Sequence, residues 1–327
     1  MAKQENGRDA RRGMADMRAM KRHQRIDEIL VVKARKQKKT VATEKLDTDA
    51  LVIGVTPGGC IVSQGGAQRL CHTQIGVVPG DRVAIRHEKV AYVAPRRTTL
   101  SRSEPGNQNK DKMIAANIDI LVIVAAIIDP PFRPALVDRY LVAAARGGIQ
   151  PILCVTKTDL SSETSAADVY RDARVPVVHC SIASGKGIEE LRGLLAGSLA
   201  VFAGHSGVGK SSLLNAVAGE DRARTGAVSE GSGKGRHTTT SSKLHELPNG
   251  ARIIDTPGIR EFGLGPVTAE ELRSAFPEIA DCGCRFRDCS HQAEPGCGVQ
   301  AALAAGVIAR ARYESYCRLT ADLVINR

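Results

Sequence analysis

The chain has no tryptophan, and aromatic residues make up only 3% of its 327 positions. A nucleic-acid surface built mainly from stacked aromatic rings is therefore not expected. Long apolar runs are also lacking, because the longest, Ile120–Ile128, is too short to cross a bilayer. The N-terminus has no apolar core of the kind that secretory signals carry. We therefore expect a cytoplasmic protein with no membrane partner.

Basic residues outnumber acidic ones, and the formal net charge of +11 favours a polyanionic partner. Residues 1–40 alone hold 13 Lys and Arg against 5 Asp and Glu, which gives this stretch a net charge of +8. We interpret residues 1–39 as a disordered basic arm that attracts RNA phosphates through counterion release. The alternative is a solvated tail that only aids solubility.

Residues 40–95 contain short β-type runs separated by Gly and Pro turn signals. The strand candidates are Leu51–Val55, Gly59–Val62, Ile75–Val78 and Val83–Ile85. About five short strands in so few residues predict a small closed barrel such as an OB-fold. The polar residues 96–113 are typical of a linker.

Residues 114–262 change to alternating strands and helices. Ile120–Ile128 and Pro151–Val155 are near-continuous apolar runs, as buried parallel strands require, and Val137–Ala145 between them has helical composition. This order predicts a doubly wound α/β sheet. Residues 263–327 are rich in cysteine and end in a predicted helix from Val299 to Leu323.

A complete phosphate-loop pattern follows the apolar run Leu199–Ala203 and precedes a helical stretch. It consists of Gly204, His205, Ser206, Gly207, Val208, Gly209, Lys210 and Ser211, with Ser212 next in the chain. The glycines let backbone N–H groups face phosphates at a helix start. We expect Lys210 to reach the β- and γ-phosphates and the Ser211 hydroxyl to bind Mg²⁺.

A base-reading box, Thr156, Lys157, Thr158 and Asp159, follows the apolar run Ile152–Val155. A carboxylate at Asp159 can accept two hydrogen bonds from guanine, whereas adenine offers no such pair. Asn is commoner where Thr156 stands, so we expect GTP specificity with altered affinity. Ser181 and Ile182 begin a loop that resembles a further guanine contact.

A third box, Asp255-Thr256-Pro257-Gly258, lies 45 residues after Lys210. We expect Asp255 to hold Mg²⁺ through water and the Gly258 N–H to sense the γ-phosphate. Between the boxes, Gly235–Thr240 has the place of a first switch, in which we favour Thr239 as a further ligand of Mg²⁺. The alternative is a plain Gly/Ser loop.

Ile259 occupies the place where many GTPases have a water-orienting glutamine. His237 is our candidate for that catalytic task, beside Lys210 and Thr239, since a neutral imidazole can orient water. A solvent-exposed loop histidine is the alternative. Slow intrinsic hydrolysis that a partner accelerates would follow.

The order of these boxes is rotated, because the base-reading box precedes the phosphate loop and the Asp255 box comes last. A GTPase normally begins with its phosphate loop. The rotation predicts a circularly permuted GTPase.

Five of the nine cysteines fall between Cys282 and Cys317. Without an export signal, such a cluster indicates a metal rather than disulfides. Cys284, Cys289, His291 and Cys297 would fill a tetrahedral Zn²⁺ shell with no open position, which is a structural site. Cys282 could replace Cys284, and the residues alone also allow an iron–sulfur cluster or free reduced thiols.

The chain resembles the circularly permuted, small-subunit-dependent GTPases known as RsgA or YjeQ. The resemblance covers roughly residues 50–315, through the rotated boxes, Val93–Arg97, Ala115–Asp119 and the metal set with Cys284 rather than Cys282. It implies an OB-fold, a central GTPase and a C-terminal zinc domain. It also implies a monomer that binds GTP and GDP and is stimulated by the small ribosomal subunit and its rRNA during late maturation. Thr156, Ile182 and the long arm depart from the pattern.

Three other functions remain open from the residues alone. The chain could be an RNA-binding module that holds nucleotide only structurally, although intact Lys210, Ser211 and Asp255 argue against this. It could be an ATP-dependent kinase or ATPase, against which Thr156–Asp159 argues. It could also be a GTPase that acts on another RNA or on a metabolite.

Overall fold

The computed structural model describes residues 47–104, 107–161, 163–219, 243–255 and 267–325. The predicted basic arm, the predicted first switch with His237 and Thr239, and Gly258 lie outside the described residues. Among the helices that are described, none is long and apolar enough to cross a membrane.

A closed five-stranded barrel forms the N-terminal part of the described chain. Its strands are β1 (Ala50–Thr56), β2 (Gly59–Gln64), β3 (Ala67–His72), β4 (Arg82–Arg86) and β5 (Lys89–Val93), in the order β1-β2-β3-β5-β4. Alternate residues such as Val52, Val62 and Val83 fill the interior, as the two-residue period of a strand requires. The predicted N-terminal barrel is therefore confirmed, with the five strands that an OB-fold has.

The prediction of a strand at Ile75–Val78 is wrong, because these residues form a loop. Val78 N donates to the buried carboxylate of Asp81 (2.8 Å) instead of to a neighbouring strand. Thr73 Oγ1 accepts from Ile75 N (3.0 Å), and such local side-chain bonds compete with ladder pairing. The sequence-based prediction also missed β3 and β5, in which exposed residues predominate.

Most of the segment predicted as a linker lies in an antiparallel hairpin. Its strands are β6 (Thr99–Glu104) and β7 (Asn107–Ala116). The hairpin is joined to the barrel by Arg96, whose Nε and Nη2 donate to Asp81 (2.7 and 2.8 Å). Asn117 continues the junction, since its Nδ2 donates to Gly80 O (2.9 Å) and its Oδ1 accepts from Arg97 N (2.9 Å).

The central sheet has the order β10 (Val177–His179), β9 (Gln150–Thr156), β8 (Ile120–Ala126), β11 (Leu199–Ala203), β13 (Arg252–Asp255) and β12 (Lys243–Glu246). All neighbours are parallel except β12, which pairs antiparallel with β13. The apolar run of β8 is buried along its whole length, as a central parallel strand must be.

Helices cover both faces of this sheet. Leu121 and Ile123 of β8 pack in one core with α1 (Pro134–Gly147), whereas Val122 and Val124 pack in a second core on the other face. The remaining helices of this part are α2 (Ser165–Asp172), α3 (Ile188–Leu195) and α4 (Lys210–Ala218). Because α2 shares the core of α1 while α3 and α4 belong to the second, the predicted doubly wound arrangement is confirmed.

The C-terminal region is helical, with α5 (Ala269–Ala275), α6 (Pro277–Ala280), α7 (Gly298–Ala304) and α8 (Arg310–Ile325). The prediction of one helix from Val299 to Leu323 is wrong, because the chain turns after Ala304. Gly306 has φ +71°, and Val307 N donates to Ala302 O (2.9 Å), which closes the first helix.

Candidate nucleotide site and metal centre

The predicted nucleotide-binding loops meet at one edge of the sheet. Parallel strands bring their carboxyl ends together, and the loops after β8, β9, β10, β11 and β13 therefore leave from the same side. The register places Ala203 of β11 beside Ile123, and Ala126 of β8 beside Thr156. Loops that are far apart in the chain therefore lie close together at this edge of the sheet.

The phosphate loop connects β11 directly to α4 and follows the backbone of β8 closely. A Cβ at Gly204 would lie 2.2 Å from Val124 O, so no larger residue fits there without a backbone shift. Lys210 folds back across the loop, and its Nζ donates to the carbonyls of Gly204 (2.7 Å) and His205 (2.6 Å). The loop is thus closed on itself just where the helix begins.

Three loops converge at Gly209, which has φ +88° and caps the N-terminus of α4. A Cβ built there would lie 3.9 Å from Ile182 Cδ1 and 4.0 Å from Thr156 Oγ1. Thr156 is fully buried, and its Oγ1 donates to Val208 O (2.6 Å). This hydroxyl therefore joins the base-reading box to the phosphate loop, and a residue without a side-chain donor could not make that bond.

The rest of the base-reading box points toward solvent. Lys157 has φ +60°, and its Nζ donates to the carbonyl of Asp129. Asp159 is exposed two residues further on. The box therefore presents an exposed carboxylate beside a lysine side chain whose tip is fixed.

The loop after β10 is held by Ser181, which is 1% exposed. Its Oγ accepts from Ser184 N (3.2 Å), and its N donates to Lys186 O (3.1 Å). Thr158 Oγ1 donates to Cys180 O (3.1 Å), which joins this loop to the base-reading box. Ile182 is 40% exposed at the loop surface.

Asp255 is the last residue of β13 and is exposed at the same edge, opposite Lys243 in the ladder. Ser211 and Ser212 are exposed in the first turn of α4. The predicted ligands His237, Thr239 and Gly258 cannot be compared with this geometry, since they lie outside the described residues.

The loop after β8 is a part of the site that the sequence-based prediction missed. Asp129 O accepts from Lys157 Nζ, and a Cβ at Gly207 would lie 3.6 Å from Pro130 Cδ. This loop therefore borders both the base-reading box and the phosphate loop. The available signal was the Asp129-Pro130-Pro131 run directly after a buried strand, at the edge where the other motifs also begin.

The predicted metal ligands form a compact cluster. The four ligand atoms of Cys284, Cys289, His291 and Cys297 all lie within 4.8 Å of one another. Cys284 Sγ lies 3.9 Å from Cys297 Sγ and 3.4 Å from His291 Nδ1, and Cys297 Sγ lies 3.7 Å from that nitrogen. In a tetrahedral shell with metal–sulfur bonds of about 2.3 Å, sulfur atoms lie roughly 3.8 Å apart. The donor set therefore fits a four-coordinate metal ion.

Hydrogen bonds fix the loops that carry the cluster. The Glu294 carboxylate accepts from the N–H groups of Ser290 (2.7 Å) and Gln292 (3.1 Å), and its hydrogen bonds, chiefly the one with Ser290, lower its pKa to about 2. His291 O accepts from Tyr313 OH (2.8 Å) and from Gln300 Nε2 (2.5 Å). Burial lowers the pKa of His291, which favours the neutral imidazole that a metal requires.

Cys282 lies outside this cluster. Its Sγ donates to Glu278 O (3.3 Å) in α6, whereas Cys284 supplies the sulfur of the four-atom set. The choice that the sequence left open is therefore decided in favour of Cys284.

The sheet is doubly wound, the phosphate loop follows a central strand, and the strand before the base-reading box comes earlier in the chain. These features define a circularly permuted phosphate-loop GTPase fold. The model of the RsgA GTPase family matches residues 93–265. A Chlorobaculum tepidum protein, "Small ribosomal subunit biogenesis GTPase RsgA", is 42% identical over 302 residues, covering 84% of this chain and 97% of that protein. The chain belongs to the RsgA GTPase family.

Other relatives agree with this assignment. A Pseudomonas putida protein of the same name is 42% identical over 269 residues, covering 77% of this chain and 78% of that protein. The crystal structure of YjeQ from Thermotoga maritima has a TM-score of 0.66 at 29% identity and covers 84% of this chain and 98% of that one. YloQ, described as a circularly permuted GTPase, has a TM-score of 0.61 at 26% identity, covering 85% and 95%.

Proposed function

We propose that this chain hydrolyses GTP to GDP and phosphate and acts as an assembly factor in late maturation of the small ribosomal subunit. The chain binds the subunit through its rRNA, and the subunit stimulates GTP hydrolysis. The observation that carries the proposal is the convergence of three separate loops at Gly209, in a chain whose boxes are in rotated order. The names of the relatives supply the subunit as the partner.

Guanine recognition would rest on the exposed Asp159 carboxylate, which can accept two hydrogen bonds from the base. Lys157 would lie along the base plane, because its tip is held at Asp129 O. Ser181 and Ile182 would border the base from the neighbouring loop. Thr156 acts as a positioning residue, since its hydroxyl holds the phosphate loop rather than the nucleotide.

Phosphate recognition would use backbone N–H groups of the loop at the start of α4, where the helix dipole favours negative charge. The groups concerned belong to His205, Ser206, Gly207, Val208, Gly209, Lys210, Ser211 and Ser212. Lys210 Nζ would exchange its carbonyl partners for the β- and γ-phosphates.

The Mg²⁺ that accompanies GTP would be held by Ser211, Asp255 and Thr239, and it would neutralise charge on the phosphates. Asp255 and Ser211 fit this task as exposed oxygen donors at the same sheet edge. Gly258 N–H would sense the γ-phosphate, and His237 would orient the attacking water.

The metal of the C-terminal cluster would be a single structural Zn²⁺. Three thiolates and one imidazole suit Zn²⁺, and a closed shell leaves no position for a substrate. Its binding would contribute folding free energy to the loops that carry the four ligands. Of the domain boundaries proposed from the sequence, at 39/40, 95/96, 113/114 and 262/263, the last would separate this region from the GTPase part, whereas 113/114 falls inside β7.

The basic arm, the barrel and the metal region would supply the rRNA contacts of a monomeric, cytoplasmic protein. Since the Asp255 box directly precedes the metal region in the chain, GTP would select a conformation that holds rRNA, and hydrolysis would release it. If Asp255→Ala left release from the subunit unchanged, this coupling would be wrong.

The test of the proposed function is GTP hydrolysis by the full chain, alone and with purified small subunits, with large subunits as the control. We expect strong stimulation by small subunits only. Lys210→Ala should abolish turnover, whereas the exposed Lys112→Ala should not change the basal rate. Tight GTP binding without stimulation would refute the subunit as partner, and ATP that competes equally with GTP would refute guanine specificity.

A further inference from the structure

Four consecutive exposed residues separate the first two metal ligands. We call Arg285, Phe286, Arg287 and Asp288 the metal-loop tip; it lies between Cys284 and Cys289. The ligands at both ends are in the cluster, so the tip is a short loop anchored on both sides.

Phe286 is unusual in a chain with so few aromatic residues. It is 44% exposed, whereas the other three phenylalanines among the described residues are partly or fully buried. An exposed aromatic ring on a loop offers a flat face on which another ring can stack.

The ring is accompanied by positive charge. The Arg285 guanidinium carbon lies 5.6 Å from the centroid of the Phe286 ring, within the range of a cation–π contact. Within the described residues, neither Arg285 nor Arg287 forms an ion pair. The two guanidiniums are therefore available to an anion, with Asp288 as the single opposing charge of the tip.

The backbone of the tip is fixed by contacts that do not involve the ring. Arg285 N donates to Gly296 O (3.1 Å), and Cys289 N donates to Phe286 O (3.4 Å). A Cβ at Gly296 would lie 3.0 Å from Arg285 Cβ, which shows how closely the two loops pack. Because the tip is already ordered, binding through it would cost little conformational entropy.

We propose that the metal-loop tip binds an unpaired nucleotide of ribosomal RNA. Phe286 stacks on the base, and Arg285 and Arg287 contact the flanking phosphates. Single-stranded RNA is the ligand that this combination of an exposed ring and two guanidiniums fits, since every base offers a π-face and every linkage offers a charge. The inference rests on the proposed function, because it names a contact between this chain and the subunit.

The experiment measures binding of the full, metal-loaded chain to purified small subunits with a non-hydrolysable GTP analogue. Phe286→Ala and Phe286→Leu should weaken binding about 5- to 150-fold, as removal of one base stack does, whereas Phe286→Tyr should bind like the unchanged chain. Val307→Ala is the matched control, because Val307 is a 69% exposed apolar residue of the same region. The double variant Arg285→Gln/Arg287→Gln should have an association constant that depends less steeply on salt. The negative slope of log association constant against log salt concentration should become smaller in magnitude by about 0.7 for each phosphate that the variant no longer neutralises.

The possible outcomes separate the inference from the proposed function. Equal binding by Phe286→Leu and the unchanged chain would overturn the inference and leave the proposed function intact. Ultraviolet crosslinking of Phe286 to rRNA would support it, whereas crosslinking of the tip to a ribosomal protein would overturn it. Failure of the unchanged chain to bind small subunits at all would refute the proposed function itself. Metal content and basal GTP hydrolysis should be the same in every variant. If Phe286→Ala loses metal, the affinities of Phe286→Tyr and Phe286→Leu for the small subunit are compared instead.

Discussion

Replacement of Arg312 by methionine should weaken the packing of the C-terminal helices against the GTPase part and lower the stability of the protein. Arg312 belongs to α8, and its side chain is 2% exposed. Its Nη1 donates to Asp138 of α1, which is fully buried, and its Nε donates to Glu278 (2.7 Å). The guanidinium also lies 4.0 Å from the ring centroid of Phe276 and 5.1 Å from that of Tyr170.

The magnitude follows from what methionine leaves behind. Met keeps much of the apolar stem but removes the cation that lies between two carboxylates with almost no access to water. Removal of one partner from a buried ion pair costs about 3–5 kcal/mol, because the remaining charge is uncompensated. A unit of 150–250 residues loses roughly 2–4 °C per kcal/mol, so we expect a fall of about 6–20 °C in the calorimetric transition of the GTPase part together with the C-terminal helices.

The chain offers a matched control for this measurement. Arg174 and Asp281 join the same two regions through an exposed ion pair (2.6 Å, with side chains 73% and 58% exposed). Arg174→Met should therefore cost less than about 1 kcal/mol. Combining Arg312→Met with Asp138→Leu and Glu278→Met should recover most of the stability, because no buried charge remains. The reasoning is refuted if Arg312→Met destabilises no more than Arg174→Met.

Three further changes test the site and the metal loops. Gly204→Ala should abolish GTP binding in a titration while the chain stays folded, since its Cβ would lie 2.2 Å from Val124 O. Thr156→Val should weaken GTP binding and cost about 1–3 kcal/mol in chemical unfolding, because it removes the buried bond to Val208 O (2.6 Å); Thr156→Ser should restore both. The pKa of Glu294 is lowered from 4.5 to about 2, chiefly by the hydrogen bond with Ser290, so its stabilising contribution is complete above about pH 4.5 and disappears as pH falls toward 2. Glu294→Gln should flatten that part of the stability profile relative to the unchanged chain, and an identical profile would contradict the assignment.

Much of the central fold was accessible from the sequence because buried parallel strands carry a strong signal. The run Leu199–Ala203 coincides with β11, and Pro151–Val155 lies within β9. A strand covered by helices on both faces must be apolar at every position, so its limits appear directly in the residue pattern. The barrel strand β3 gives no such signal, since only Cys71 of its six residues is buried.

Tertiary contacts explain the parts that the sequence did not predict. The apolar Ile75–Val78 run looks like a strand, but the Asp81 carboxylate captures Val78 N from three residues away. The hairpin of β6 and β7 is polar and was interpreted as a linker, because a two-stranded ribbon buries little surface of its own. The buried ion pairs of Arg312 could not be predicted for a different reason, because the two carboxylates lie 34 and 174 residues away from Arg312 in the chain.

Helix α1 connects the phosphate loop to the C-terminal helices by a route that the sequence does not reveal. Asp138 and Tyr140 are two residues apart on it, which places them about 200° apart around the helix axis. Asp138 faces Arg312, whereas Tyr140 lines a small cavity together with His205 and Val208 of the phosphate loop, and burial raises the pKa of its hydroxyl to about 12. The covalent connection from Asp255 to the metal region is therefore accompanied by a packed one through α1. Because α1 contacts both the phosphate-loop side and the C-terminal helices, Arg312→Met should alter GTP affinity as well as stability, whereas Arg174→Met should leave GTP affinity unchanged and cost less than about 1 kcal/mol.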